Sequence, residues 1–155
     1  ADLIIWMGNK EPRIWQQLKQ LTEAPIVKAE VEIKKIYSID GEELEIKDKA
    51  VGLFCGVGNP QRVEETVKKR GAQIVATHFL PDHRAISSEK LLQFAALCKG
   101  KGADYLICTE KDRVKLPKVE KIALPIGWLE VRLAIVENER EWEMMLKKII
   151  ALSRS

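Results

Sequence analysis

Residues 50–79 hold the feature that most restricts the fold. Two short apolar runs, Ala50–Cys55 and Gln73–Phe79, flank an amphipathic stretch, Gln61–Arg70, with turn chemistry at both junctions. Runs this short without helical spacing read as buried strands. Between them Gly56-Val57-Gly58 turns the chain, Asn59 can cap a helix, and Pro60 suits its first position. Gly71 stands where a helix end takes a left-handed residue. A strand, a helix and a strand within ~30 residues imply two parallel strands with the helix on one face of their sheet.

The same unit recurs on both sides. Asp2–Met7 is a short apolar run, closed by Gly8-Asn9 and followed by Glu11–Leu21 with Ile14, Leu18 and Leu21 at helical spacing. After the strand Gln73–Phe79 comes a loop, Leu80–Ile86, and Ser87 caps a helix whose Leu91, Leu92, Ala95, Ala96 and Cys98 are expected to face inward. Gly100 and Gly102 stop that helix, Ala103–Cys108 is a strand, and Thr109 opens a short helix that Pro117 closes at about Leu116. Lys121–Leu124 and Leu129–Ile135 read as further strands, and Glu139–Leu152 as a terminal helix. One segment differs: Ile26–Ile39 alternates, with Val27, Ala29, Val31 and Ile33 on one face, and Asp40-Gly41 turns it towards Glu42–Ile46. The expectation is a single α/β domain over 1–155. Its sheet is mainly parallel with helices on both faces, a Rossmann-like three-layer arrangement, and an antiparallel hairpin extends from it at about 26–46.

Composition excludes several classes. Apolar residues are 46% and charged residues 32% of 155, ordinary for a globular chain and too rich in apolar side chains for disorder. A chain of this size buries roughly two thirds of its unfolded surface, so folding needs neither disulfide nor metal. No apolar run approaches the ~20 residues of a membrane span. The opening Ala1-Asp2-Leu3-Ile4 has no signal-peptide layout, lacks an initiator Met and reads as a strand cut into midway, as in a fragment. Net charge is +3, unevenly placed: residues 1–50 carry 8 basic and 10 acidic groups, residues 51–121 carry 13 and 8. That bias suits an anionic ligand and is too weak for nucleic acid. Cys55, Cys98 and Cys108 form no CxxC pair and sit in apolar stretches, which fits buried structural thiols in a reducing cytoplasm.

Ligands of parallel α/β sheets bind beyond the carboxyl ends of the strands, where three loops qualify. In the first, the glycines of Gly56-Val57-Gly58-Asn59-Pro60 let backbone approach a ligand, and the helix start offers free N–H groups to an anion. A dinucleotide fingerprint would need glycine at position 61, which is Gln61, and no Gly-Lys-Ser/Thr of a Walker A loop occurs in the chain. A tight turn with a capped helix explains the same residues. The second loop, Thr77-His78-Phe79-Leu80-Pro81-Asp82-His83-Arg84, holds both histidines. An imidazole beside a carboxylate can take a proton from a hydroxyl; an ordinary surface loop is the plainer reading, and the spacing matches no standard metal site. The third, Cys108-Thr109-Glu110-Lys111-Asp112, could bind phosphate, ribose or a base edge. Equally, Thr109 and Asp112 stand at capping-box spacing.

Taken together, Gly56-Val57-Gly58-Asn59-Pro60, Phe79-Leu80-Pro81-Asp82-His83 and Thr109-Glu110-Lys111-Asp112-Arg113-Val114-Lys115-Leu116 resemble, in order and spacing, the second half of the tetraacyldisaccharide 4'-kinases, the lipid A 4'-kinases of Gram-negative bacteria. The match is close over roughly 50–126 and agrees only in layout over 1–49; Leu80 is an insertion and Arg113 replaces the usual Ala.

The resemblance implies transfer of the ATP γ-phosphate to the 4'-hydroxyl of tetraacyldisaccharide 1-phosphate, with Mg²⁺, at the inner face of the cytoplasmic membrane. It further implies that the P-loop and acidic metal ligands lie in a preceding half absent from this chain. His83 would partner an Asp of that half in activating the hydroxyl, with Asp82 beside it. Gly56, Gly58, Asn59, Thr109, Glu110, Lys111 and Asp112 would form the substrate or phosphate rim. Two other classes fit the bare residues: a non-catalytic nucleotide- or sugar-phosphate-binding module using the same rim, and an interaction domain docking a partner through the 26–46 hairpin. The terminal helix carries an apolar stripe, Trp142, Met145, Leu146, Ile149 and Leu152. It suits a helix covering the sheet better than one lying on anionic lipid, because Glu139, Glu141 and Glu143 would be repelled there.

Overall fold

The computed structural model describes residues 3–7, 11–81 and 84–154. Asp2, Gly8, Asn9, Asp82 and His83, each named above, lie outside the described residues. Six strands hydrogen-bond in the order β1-β2-β6-β5-β3-β4. They are β1 (Ile4–Met7), β2 (Ile26–Ser38), β3 (Ala50–Cys55), β4 (Gln73–Phe79), β5 (Tyr105–Thr109) and β6 (Ile126–Glu137). The helices are α1 (Pro12–Leu21), α2 (Pro60–Lys69), α3 (Ser88–Gly100), α4 (Glu110–Arg113) and α5 (Glu139–Ser153). The pairs β1–β2, β3–β4, β3–β5 and β5–β6 are parallel, and β2–β6 is antiparallel. The sheet is therefore mainly parallel, as the crossover units require. The chain divides into two compact units, Ile33–Arg132 and the remainder, 1–32 with 133–155.

In the unit Ile33–Arg132, strand pleating sends alternate side chains to two separate cores. Phe54, Leu106 and Cys108 meet α3 through Leu91, Phe94, Ala95 and Cys98 on one face; Val51, Leu53 and Ile107 meet Val67 of α2 on the other. Three layers result. The inward stripe of α3 differs from expectation: Phe94 is buried and crosses Phe54 edge-on at 6.3 Å, while Leu92 and Ala96 are exposed. Positions 91, 94, 95 and 98 follow the three-four spacing of one helical face, which 92 and 96 do not share with 91 and 95.

Two further segments depart from the sequence reading. Lys121–Leu124 is not a strand; Leu124 is buried, but the chain joins the sheet only after Pro125, whose carbonyl accepts from Leu106 N–H at 2.9 Å. The hairpin at 26–46 is present, turning at Gly41 (φ +89°), yet its return arm is reduced to one bridge, Tyr37 with Glu43. Its first arm is no extension. β2 runs inside the sheet between β1 and β6, with Ile33 and Ile36 buried.

The other unit holds β1 paired with the start of β2, α1 and α5. Trp6 and Trp15 meet edge-on at 6.0 Å, and Asn138, in the left-handed region (φ +59°), donates its amide to the Ile26 carbonyl. The stripe of α5 expected to cover the sheet is instead largely open: no residue of the helix is buried, and Leu152 is 75% exposed.

Gly52 marks how tightly α3 sits on β3. A Cβ there would fall on Cys98 Sγ and 2.9 Å from Leu106 Cδ2. Gly52→Ala is expected to cost about 1–3 kcal/mol of stability by overpacking, and Cys98→Ala in the same protein to recover part of it. Equal denaturation midpoints for Gly52→Ala and the native sequence would contradict this packing.

Candidate functional site

The parallel pairings of β3, β4 and β5 bring their carboxyl ends, Cys55, Phe79 and Thr109, to one edge of the sheet. The three loops singled out in the sequence all leave from this edge. Gly56 is buried, whereas Gly58 and Asn59 are exposed. Asn59 caps α2, its side-chain oxygen accepting from Arg62 N–H at 3.2 Å, and Pro60 opens the helix. The capped-helix reading of this loop is thus realised, with the open face of Gly58 and Asn59 beside it.

The second loop is tied to the first at both ends. Leu80 N–H donates to the Cys55 carbonyl at 2.9 Å. On the far side, the Arg84 carbonyl lies so close to Gly56 that a Cβ there would come within 2.5 Å of its oxygen. Arg84 N–H donates to the Pro81 carbonyl at 3.0 Å, and the two residues between them in the sequence are Asp82 and His83. The other histidine is a packing residue: the His78 ring lies tilted against Phe94, with centroids 5.8 Å apart.

The third loop closes on the first through Asp112. Thr109 and Asp112 form the reciprocal capping box of α4: Asp112 N–H donates to Thr109 Oγ1 (3.3 Å), and Thr109 N–H to Asp112 Oδ2 (3.2 Å). The Thr109 hydroxyl also donates to Oδ2 at 2.5 Å. Capping is only half of what this carboxylate does. Its Oδ1 accepts Gly56 N–H at 2.8 Å, across 56 residues of sequence. Asp112 and Thr66 are the buried polar side chains among the described residues, while Glu110 and Lys111 are exposed. Gly56 thus touches both other loops, and all three meet at one backbone position. Sequence reading treated Gly56 as a phosphate-loop glycine and missed this reason for it, whose one local signal was a glycine directly at a strand end.

The sequence profile of the tetraacyldisaccharide-1-P 4'-kinase family (LpxK) matches residues 1–151. The chain belongs to this family. Tetraacyldisaccharide 4'-kinase of Chlamydia muridarum is 31% identical over 160 residues, covering 100% of this chain and 43% of that protein. The Chlamydia pneumoniae kinase is 34% identical over 143 residues, covering 88% and 39%. A crystal structure of LpxK from Aquifex aeolicus in complex with ATP is similar at 17% identity and a TM-score of 0.49, over 95% of this chain and 42% of that one. The chain therefore spans less than half the length of the curated relatives it matches.

Two thiols border the rim of this LpxK-family chain. Burial, reinforced by the Asp112 negative charge, pushes the Cys55 thiol up to about 12, and the same two causes raise Cys108. Neither supplies a thiolate near neutral pH, so the rim holds no sulfur nucleophile. Among the described residues no three His, Cys, Asp or Glu side chains group so as to hold a metal. A concavity of about 290 Å³ in the other unit, bordered by Trp15, Lys19, Thr22 and Asn138, includes none of the rim residues. Arg113 lies over the Trp128 ring at 4.5 Å, and Trp128 packs at 5.1 Å on Tyr37, so this arginine has a packing role.

The raised Cys55 thiol sets a pH dependence. In the unfolded chain the thiol ionises near its ordinary value of 9.0, whereas in the folded chain it stays protonated up to about 12. The folded state then binds more protons across that window, so its stability falls as pH rises above about 9. Cys55→Ala is expected to flatten the alkaline loss of Tm, measured by thermal unfolding between pH 8 and pH 10.5. An identical slope in the two proteins would contradict the burial of this thiol.

Proposed function

We propose that this chain is the acceptor-side, C-terminal half of a P-loop lipid kinase, both compact units included. In the whole protein the γ-phosphate of ATP passes to the 4'-hydroxyl of tetraacyldisaccharide 1-phosphate, and the rim around Gly56 forms one wall of the cleft. The observation that carries this reading is the meeting of the three family-like loops at one backbone position, in a chain that belongs to the LpxK family. Family membership favours it over a free-standing binding module or an interaction domain.

The chemistry divides accordingly. The acceptor oxygen forms a bond to the γ-phosphorus as the bond to the β–γ bridging oxygen breaks; ADP departs, and the hydroxyl proton must go to a base. His83 is assigned that proton, acting with an Asp of the preceding half, and Asp82 is its neighbour. Gly58 and Asn59 present backbone and a helix start to the sugar phosphate and the exposed Glu110 and Lys111 line the wall, while Gly56, Thr109 and Asp112 form the bonded layer behind them.

This chain's residues do not fit Mg²⁺–ATP. The sequence has no Gly-Lys-Ser/Thr loop to cradle the β- and γ-phosphates, and the described residues hold no metal-ligand cluster. ATP and Mg²⁺ are accordingly assigned to the preceding half, the chief partner of this chain. The exposed apolar residues of α5, Leu146, Ile149 and Ile150, support such a partner. Among the described residues no helix is long and apolar enough to cross a membrane. Contact with the inner face of the cytoplasmic membrane is assigned to the acyl chains of the substrate, and Glu139, Glu141 and Glu143 make α5 a poor anchor on anionic lipid.

The test is kinetic. In the full-length protein His83→Ala should lower kcat by about two to four decades, the range for a general base or its partner, with little change in KM for ATP. The 155-residue chain alone should phosphorylate nothing. Turnover near that of the native protein in His83→Ala removes His83 from the mechanism; ATP-dependent phosphorylation of the disaccharide by the isolated chain overturns the division between halves.

A further inference from the structure

We propose that Arg113 binds the acceptor's own phosphate, the 1-phosphate of the tetraacyldisaccharide, and so selects a phosphorylated sugar over an unphosphorylated one. The subsite rests on the reading of the rim as the acceptor wall. It adds a binding residue that the three loops do not themselves supply.

Arg113 is the last residue of α4, next in sequence to Asp112, whose carboxylate accepts Gly56 N–H at 2.8 Å. Its guanidinium carbon lies 4.5 Å from the centroid of the Trp128 ring, and Trp128 lies on Tyr37 at 5.1 Å with 32° between the planes. The parallel pairing of β5 with β6 sets Trp128 opposite Cys108 and Leu129 opposite Thr109, so the stack stands beside the carboxyl end of β5. Trp128 also packs against the core that holds Phe54 and Leu106. A guanidinium on such a base is held in place before a ligand arrives, which lowers the entropy cost of ordering it on binding.

The packing leaves the hydrogen-bonding capacity of this arginine unused. Arg113 is exposed, and among the described residues no carboxylate pairs with it and no acceptor takes its guanidinium N–H groups. The neighbouring Asp112 is already committed: Oδ1 takes Gly56 N–H, and Oδ2 takes the Thr109 N–H and hydroxyl. Contact with a ring engages the positive charge and satisfies no N–H donor. A permanently charged, planar fork of donors without an acceptor matches the oxygens of a phosphate, two N–H groups to two oxygens. Lys111 is exposed on the same short helix, and residues 51–121 carry 13 basic groups against 8 acidic ones, a balance that favours a dianion here. The triphosphate of ATP is assigned to the preceding half. The phosphate left for Arg113 is that of the sugar.

The test compares two acceptors in the full-length protein: tetraacyldisaccharide 1-phosphate, and the same disaccharide with a free 1-hydroxyl, each in neutral detergent micelles. Arg113→Ala is expected to raise KM for the 1-phosphate about 10- to 100-fold, the range for lost hydrogen bonds to a charged group. Its kcat and its KM for ATP should stay within about twofold of the native values. The free 1-hydroxyl acceptor should show a raised KM with the native protein already, and Arg113→Ala should raise it no further. Arg113→Lys keeps the charge without the fork and should fall between the two. An unchanged KM for the 1-phosphate in Arg113→Ala overturns the proposal. Equal losses on both acceptors overturn it too, and leave Arg113 a packing residue. A defect that appears only when phosphatidylglycerol is added to the micelles would put a lipid headgroup on Arg113 in place of the substrate, again overturning it. So would failure of both variants to fold, since the stack would then serve the fold alone. A native protein inactive on both acceptors has a different meaning: it removes the reading of the rim, and the subsite with it.

Discussion

The bond from Gly56 N–H to the Asp112 carboxylate is the interaction on which the rim depends. A buried carboxylate is costly unless its oxygens are met by donors. Here the donors come from two places: Thr109 at the end of β5 and Gly56 at the end of β3. Meeting that requirement joins the two strand ends. It also gives α4, a helix of four residues, a reason to persist, since a single turn has little stability of its own. Burial raises the neighbouring Cys55 and Cys108 thiols, and the same charge adds to that shift. One side chain thus sets the cap of a helix, the position of a turn and the electrostatics behind the rim.

What was legible in the sequence was what nearby residues decide. The strands β3 and β4 fall where their apolar runs lie, Asn59 caps α2, and Gly71 takes the left-handed conformation (φ +94°) that its place after a helix called for. The capping box of Thr109 and Asp112 was readable despite an Asp where Glu or Gln is usual. The rest depended on partners remote in sequence. The second oxygen of Asp112 bonds 56 residues away, and Gly56 is small because of Arg84. Neither contact leaves a periodic trace. Phe94 displaced Leu92 from the inward stripe of α3 because Phe54 lies opposite it across the core. Lys121–Leu124 is apolar enough for a strand but gains its burial from side chains alone, before the chain reaches the sheet at Ile126.

The two compact units bear differently on function. Ile33–Arg132 holds the rim and two filled cores, and its geometry stands on contacts within itself. The other unit holds α5, where Trp142 and Met145 are half-buried and Leu146 and Ile149 are exposed. A stripe of that kind is stable in water only at a cost that further protein surface can remove. That contrast agrees with a chain that spans less than half the length of its relatives and whose proposed chemistry needs a nucleotide site from elsewhere.

The central claim is that the acceptor sugar is handled at the rim around Gly56. The most direct measurement is a crystal structure of the full-length protein with the tetraacyldisaccharide 1-phosphate bound. The disaccharide should lie over the carboxyl ends of β3, β4 and β5, with its 4'-hydroxyl within hydrogen-bond reach of the His83 imidazole, about 2.6–3.2 Å. A disaccharide seated away from these strand ends, with its 4'-hydroxyl served by other residues, would contradict the claim.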